Sequence, residues 1–172
     1  MQVGYSNYDN VIQKKDQEKR ILTEMVQEVY NSLIISTLAT LKDELGLARG
    51  VNVAENMWKR FAEDIFPALK ERYQLNSTEI PEVAEFLKKI YTDLFGFKNV
   101  EVTGDADKSV ITVRECHIWT LLKSKRLPPL CHKLKDKFAE TIVRLANPSI
   151  VFGVGAHYRQ GADRCEFELK KF

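Results

Sequence analysis

NVEVTGDADKSVITVRE, residues 99–115, is where the character of this chain changes. Apolar residues alternate here, Val100 and Val102 and then Ile111 and Val113 roughly opposing them, which is the period-two pattern of half-buried strands. Gly104-Asp105-Ala106-Asp107 lies between them and has the composition of a tight turn. The spacing predicts an antiparallel hairpin with strands over about 99–103 and 109–115.

Upstream the apolar period lengthens to three and four. Over about 10–45, Ile21, Leu22, Met25, Val26, Val29, Tyr30, Leu33, Leu38, Leu41 and Leu45 recur at helical intervals. That stripe is long for one ordinary helix, which points to a break or to a partner that covers it, a second subunit. Gly46 and Gly50 read as a stop and a turn, and Asn52 as the cap of a helix over about 52–74 that Pro67 kinks. Pro81 suits the first turn of a third helix, about 81–95, ending at Gly96. Downstream of the hairpin, Pro128-Pro129 precedes a helix over about 130–146, which Asn147-Pro148 ends. Strands follow at about 149–158 and 164–171 around an Arg159–Asp163 turn. The fold class is therefore α+β, with N-terminal helices packed on a four-stranded antiparallel sheet. The chain reads as one domain over 1–172, helical over 1–96 and mixed over 97–172.

Composition narrows the function classes. With 44% hydrophobic and 29% charged residues among 172, the sequence is neither disordered nor collagenous. No apolar run approaches the length of a membrane span, and no apolar core follows a basic start, so the expected location is cytoplasmic. Residues 116–172 hold 11 Lys+Arg against 5 Asp+Glu, whereas residues 1–115 hold 15 against 19. The last third thus prefers an anionic neighbour. Lys133, Lys135 and Lys137 cannot share one helical face. The basic stretch that adds Lys123, Lys125 and Arg126 therefore reads as solvated surface, and nucleic acid as an unlikely partner.

All cysteines and histidines fall between residues 116 and 165: Cys116-His117, Cys131-His132, His157 and Cys165. Thiolate and imidazole are the ligands zinc prefers, although the spacing is not that of a zinc finger and buried thiols are common. His157 and Cys165 fall near facing ends of one hairpin, with Gly161 in the turn. Cys131 stands near the start of a helix, whose dipole lowers a thiol pKa, and His132 follows it. Glu115, at a strand end, is a further candidate for a general base. The aromatics Trp58, Phe61, Phe66, Phe86, Tyr91, Phe95 and Trp119 are mostly core by periodicity, and a subset suits a pocket between helices and sheet.

His157-x-x-x-Gly161-x-x-x-Cys165-x-Phe167 resembles the closing motif of the 4-vinyl reductase domains and of the sensory domains of phenol-responsive transcription activators. That resemblance implies a structural zinc beside an aromatic-lined pocket, with Cys131, His157 and Cys165 at three ligand positions. Val154 stands where an acidic ligand is expected, which leaves Cys116, His132 or water as the fourth. A longer segment, from Glu115 to Phe172, resembles the C-terminal half of the L-2-amino-thiazoline-4-carboxylic acid hydrolase-like family. Cys116, Pro129, Cys131, Pro148, Gly161, Cys165 and Phe167 carry it, and it implies a short helix after Cys116. Two functions follow. One is a cytoplasmic, homodimeric domain binding a small apolar or heterocyclic carboxylate beside a Cys/His zinc site. The other is a hydrolase of a C–N bond in a small cyclic amidine or thiazoline carboxylate, using Cys131, His132 or Glu115, or a zinc-bound hydroxide.

Overall fold

A computed structural model describes the backbone of residues 6–127 and 131–172, and the side chains of residues 17, 18, 21–127 and 136–172. Three helices come first: α1 over Ser6–Leu45, α2 over Leu47–Arg72 and α3 over Ile80–Asp93. The hairpin follows as β1, Lys98–Gly104, and β2, Lys108–Glu115. Then come α4 over His117–Ser124, α5 over Cys131–Ala146, β3 over Ile150–Val154 and β4 over Cys165–Lys171. The sheet is antiparallel in the order β1-β2-β4-β3. Val100 pairs with Val113 and Val102 with Ile111, as the alternation requires. Asp105 closes the turn by accepting from the backbone N–H groups of Asp107 and Lys108, which holds its carboxyl below the usual range.

The layers stack on one face of the sheet. α3 packs against β1 and β2, α5 against β3, α2 against α5, and α1 against α2. Ile111, Val113, Cys165, Phe167 and Leu169 are buried beneath the helices together with Ile90, Tyr91, Phe138 and Ile142. Residues Glu101, Arg114, Glu166 and Lys170 lie on the other face, where Arg114 pairs with Glu101 at 3.8 Å. Among the described residues, no helix is long and apolar enough to cross a membrane.

Four details differ from the sequence reading, each for a physical reason. Gly50 is no turn: it lies inside α2, where a Cβ would come within 2.9 Å of the Leu41 carbonyl oxygen, so its small size serves the close approach of α1 and α2. The N-cap of α2 is accordingly Gly46, with φ +74, rather than Asn52, while the helix runs through Pro67 to Arg72 as expected. The fourth helix, α4, too short for periodicity to reveal, is the short helix that the resemblance implies after Cys116. The third strand stops at Val154 instead of running to Tyr158. Beyond it Gly155 N–H donates to Glu166 O while Glu166 N–H donates to Ala156 O, a bulge that sets two residues against one. The long apolar stripe of α1 also divides. Asn31, Ile35 and Leu38 are buried, whereas Ile21, Leu22, Met25, Val26, Val29 and Leu33 remain half to two-thirds exposed.

Candidate functional site

The sequence-marked cysteines and histidines gather at one end of the sheet. Cys165 opens β4 opposite Val113 and is fully buried. The bulge at Gly155–Ala156 carries the chain around so that His157, 3% exposed, follows at the same end. Cys116, also buried, leaves β2 as the N-cap of α4. The connection from α5 through Asn147 to β3 is short and the two elements pack together, so α5 begins, at Cys131, at this same end. The side chains of Cys131 and His132 lie outside the described residues. Trp119 stacks on Tyr158 at 6.3 Å, and the Tyr158 hydroxyl donates to the Arg114 carbonyl, which ties α4 and the last turn to the end of β2.

The hydrogen bond at His157 decides its chemistry. Arg159 N–H donates to His157 Nδ1 at 3.0 Å, where the ring caps the 3-10 turn Tyr158–Gln160. A backbone N–H only donates, so Nδ1 is the unprotonated nitrogen and the neutral ring carries its proton on Nε2. A nitrogen that bears a proton has no lone pair for a cation, so His157 held this way fits a zinc ligand poorly. Among the described residues, no group of three or more His, Cys, Asp or Glu side chains is placed to hold a metal ion.

The remaining candidates disperse. Glu115 is exposed at the end of β2, where it accepts from the Asn99 side-chain amide. Lys123, Lys125 and Arg126 are exposed, and Lys137 pairs with Glu140 at 3.0 Å. Lys133 and Lys135 lie outside the described side chains. A surface recess of about 220 Å³ opens between α2 and α3, and neither its Tyr73, Gln74 and Leu75 wall nor its Glu82, Phe86 and Lys89 wall includes a cysteine or histidine.

Aromatic rings fill the interior instead. Trp58 of α2 meets Phe61, Phe95 and Phe138 with centroids 5.7–5.9 Å away. Phe95 stacks on Phe97 at 5.7 Å, and Tyr91 joins Phe97 at 5.5 Å to Phe167 of β4 at 5.4 Å. At the rim of this cluster His117 stands edge-on to Phe97 at 6.0 Å, and its Nε2 lies 2.5 Å from the side-chain nitrogen of Asn31 on α1. The sequence reading includes Trp58, Tyr91 and Phe95 but misses Asn31, Phe97 and the role of His117. The only signal for Asn31 is a polar residue on the side of α1 that turns inward.

No curated protein matches the sequence. Among solved structures, subunit 3 of the trafficking protein particle complex from Naegleria fowleri, covalently bound to palmitic acid, is similar with a TM-score of 0.52 and 19% identity. That likeness covers 89% of this chain and 96% of the other. The phenol-responsive sensory domain of the transcription activator PoxR, with phenol, is similar with a TM-score of 0.62 and 14% identity, over 82% of this chain and 74% of the other. At such identities these likenesses establish a shared fold. The family model of L-2-amino-thiazoline-4-carboxylic acid hydrolase matches residues 13–169, nearly the whole chain, which therefore belongs to that family.

Proposed function

We propose that this chain is a small-molecule-binding domain whose ligand, a small apolar or heterocyclic carboxylate, enters the aromatic interior between the helices and the sheet. The observation that carries this reading is the unbroken run of rings from Trp58 through Phe95, Phe97 and Tyr91 to Phe167, with an imidazole and an amide at its rim. Family membership supports a second reading, hydrolysis of a C–N bond in a cyclic amidine or thiazoline carboxylate. Incubating the purified protein with 2-amino-thiazoline-4-carboxylate separates the two. Calorimetric binding without ring opening is the expected result. Ring opening above the buffer rate, lost in Cys131→Ser, establishes the hydrolase, and neither binding nor turnover removes both readings.

The same proposal keeps three finer features. Zinc, where bound, falls to the thiols Cys116, Cys131 and Cys165 rather than to His157, and elemental analysis of the purified chain tests it. A cytoplasmic location suits a protein with buried thiols and is checked by fractionation. The chain pairs with a second copy through the outer face of α1. There six apolar side chains from Ile21 to Leu33 stay half to two-thirds exposed along one stretch of helix, the kind of contiguous apolar surface that marks a protein–protein contact. Light scattering is expected to report a dimer that Val29→Asp converts to a monomer; a monomeric parent protein would refute the pairing.

A further inference from the structure

The recess between α2 and α3 is shaped by the turn that joins them. α2 closes in the Schellman arrangement on a left-handed residue, Gln74 at φ +53: its N–H donates to Glu71 O at 3.2 Å, and Leu75 N–H donates to Lys70 O at 3.1 Å. Glycine takes that position at the least cost, so a glutamine there keeps a side-chain amide beside the recess at the expense of some backbone strain. The floor is apolar. Leu75 and Phe86 are only 7% and 3% exposed, and the Tyr73 ring meets Phe86 edge-on at 6.1 Å. The Tyr73 hydroxyl donates to Asp93 Oδ2 at 3.1 Å, which holds that ring in place. Glu82, Glu85, Phe86 and Lys89, at helical spacing, bring one stripe of α3 to the other wall.

The charges of that stripe are unequally spent. Glu85 pairs with Lys88 at 3.3 Å, whereas among the described residues neither Glu82 nor Lys89 has an ion-pair partner, and the side-chain amides of Gln74 and Asn76 bond no other group. A carboxylate and an ammonium thus flank an apolar-floored recess of about 220 Å³, with two open amides along the turn. Seven residues of helix set Glu82 and Lys89 about 10 Å apart along the axis. Two hydrogen bonds of about 3 Å, one at each end, leave about 5 Å between the charges of a ligand. A single α-amino acid is too short for that gap, and two residues of extended chain, at most about 7 Å, are long enough. We infer that the recess is a second binding site, for a zwitterionic dipeptide with an apolar side chain. Its ammonium faces Glu82, its carboxylate faces Lys89, its peptide group bonds the amides of Gln74 and Asn76, and its side chain covers Phe86. None of the rings from Trp58 to Phe167 lines this recess, so the assignment stands apart from the proposed interior site. A ligand of about a dozen heavy atoms in so open a place binds at about 1 mM.

Amide-detected NMR of the full chain suits so weak a complex. Titration with glycyl-leucine is expected to move the backbone signals of residues 74–77 and 82–89 saturably, with a Kd near about 1 mM. Free leucine, N-acetyl-glycyl-leucine and glycyl-leucinamide lack the span, the ammonium and the carboxylate in turn. Each should bind about threefold to fivefold more weakly, the worth of one solvated ion pair. Substitutions then assign the two ends. Glu82→Gln should weaken glycyl-leucine by that same factor and leave N-acetyl-glycyl-leucine unaffected, and Lys89→Gln should do the same with glycyl-leucinamide. Both residues are exposed, so both variants should melt at the parent temperature. The assignment is overturned by the absence of a saturable shift in the recess, by shifts centred elsewhere, or by losses equal for the charged and the blocked peptides. Free leucine binding as well as the dipeptide overturns the span on which the ligand class rests.

Discussion

His157 and His117 are both tied down by one ring nitrogen, yet the partners differ. At His157 a backbone N–H takes Nδ1, so the tautomer is built into the fold of the last turn. At His117 the partner is the side chain of Asn31, which keeps a second polar atom with nothing to bond. A histidine held by the backbone caps a turn, and its chemistry is fixed once the chain folds. One held by a side chain with a polar atom to spare sits where the proposed ligand would find a partner. The comparison moves the expected centre of function away from the cysteine-rich end of the sheet and toward the aromatic interior.

Breaking the two ends separately should give opposite profiles. His157→Ala removes the cap of the 3-10 turn and leaves a space in a buried corner, a loss expected to cost about 2–3 kcal/mol in denaturant unfolding, with ligand affinity in the interior unchanged. His117→Ala is expected to cost only about 1 kcal/mol, because the ring is partly exposed, but to weaken ligand binding. If His157→Ala proves harmless and abolishes binding, the roles are reversed.

A smaller effect sharpens the same contrast through pH. Burial pushes the Tyr30 hydroxyl, next to Asn31, up to about 12. Its folded value lies above its unfolded one, so its contribution is complete below pH 10 and is lost as the pH rises from 10 toward 12. Arg164, bonded at 2.7 Å, holds the Glu166 carboxyl below its ordinary value beside the His157 turn. That contribution is present at neutral pH and is lost as the pH falls through the carboxylate range; it is small, because the pair is largely solvated. Amide exchange should therefore loosen α1 first in alkali and the hairpin end first in acid. Tyr30→Phe should remove the alkaline step, and an alkaline step unchanged by Tyr30→Phe would contradict this account.

Much of the fold was legible because local signals and packing agree. Val100 and Val102 face Val113 and Ile111 as their alternation demands, and Pro81 begins α3 where its missing N–H does no harm. Gly50 misled because glycine signals a turn locally, whereas here it answers a close helix contact that only the tertiary structure creates. The strand after Ile150 outran its true end because the bulge at Gly155–Ala156 leaves no mark on the apolar pattern. For the candidate site, the motif around His157 and Cys165 was enough to place both at one end of the sheet. The tautomer of His157 was not legible, since it depends on a backbone N–H two residues away. Asn31 was invisible for a similar reason: its partner His117 lies far off in sequence, and no pattern of spacing links them.

The most direct test is nitrogen-resolved NMR of the imidazole rings during titration with 2-amino-thiazoline-4-carboxylate. The account predicts that His157 shows an unprotonated Nδ1 and keeps its signals throughout, while the His117 signals move in step with saturation. Signals that shift at His157 and stay fixed at His117 would place the ligand at the cysteine-rich end and contradict it.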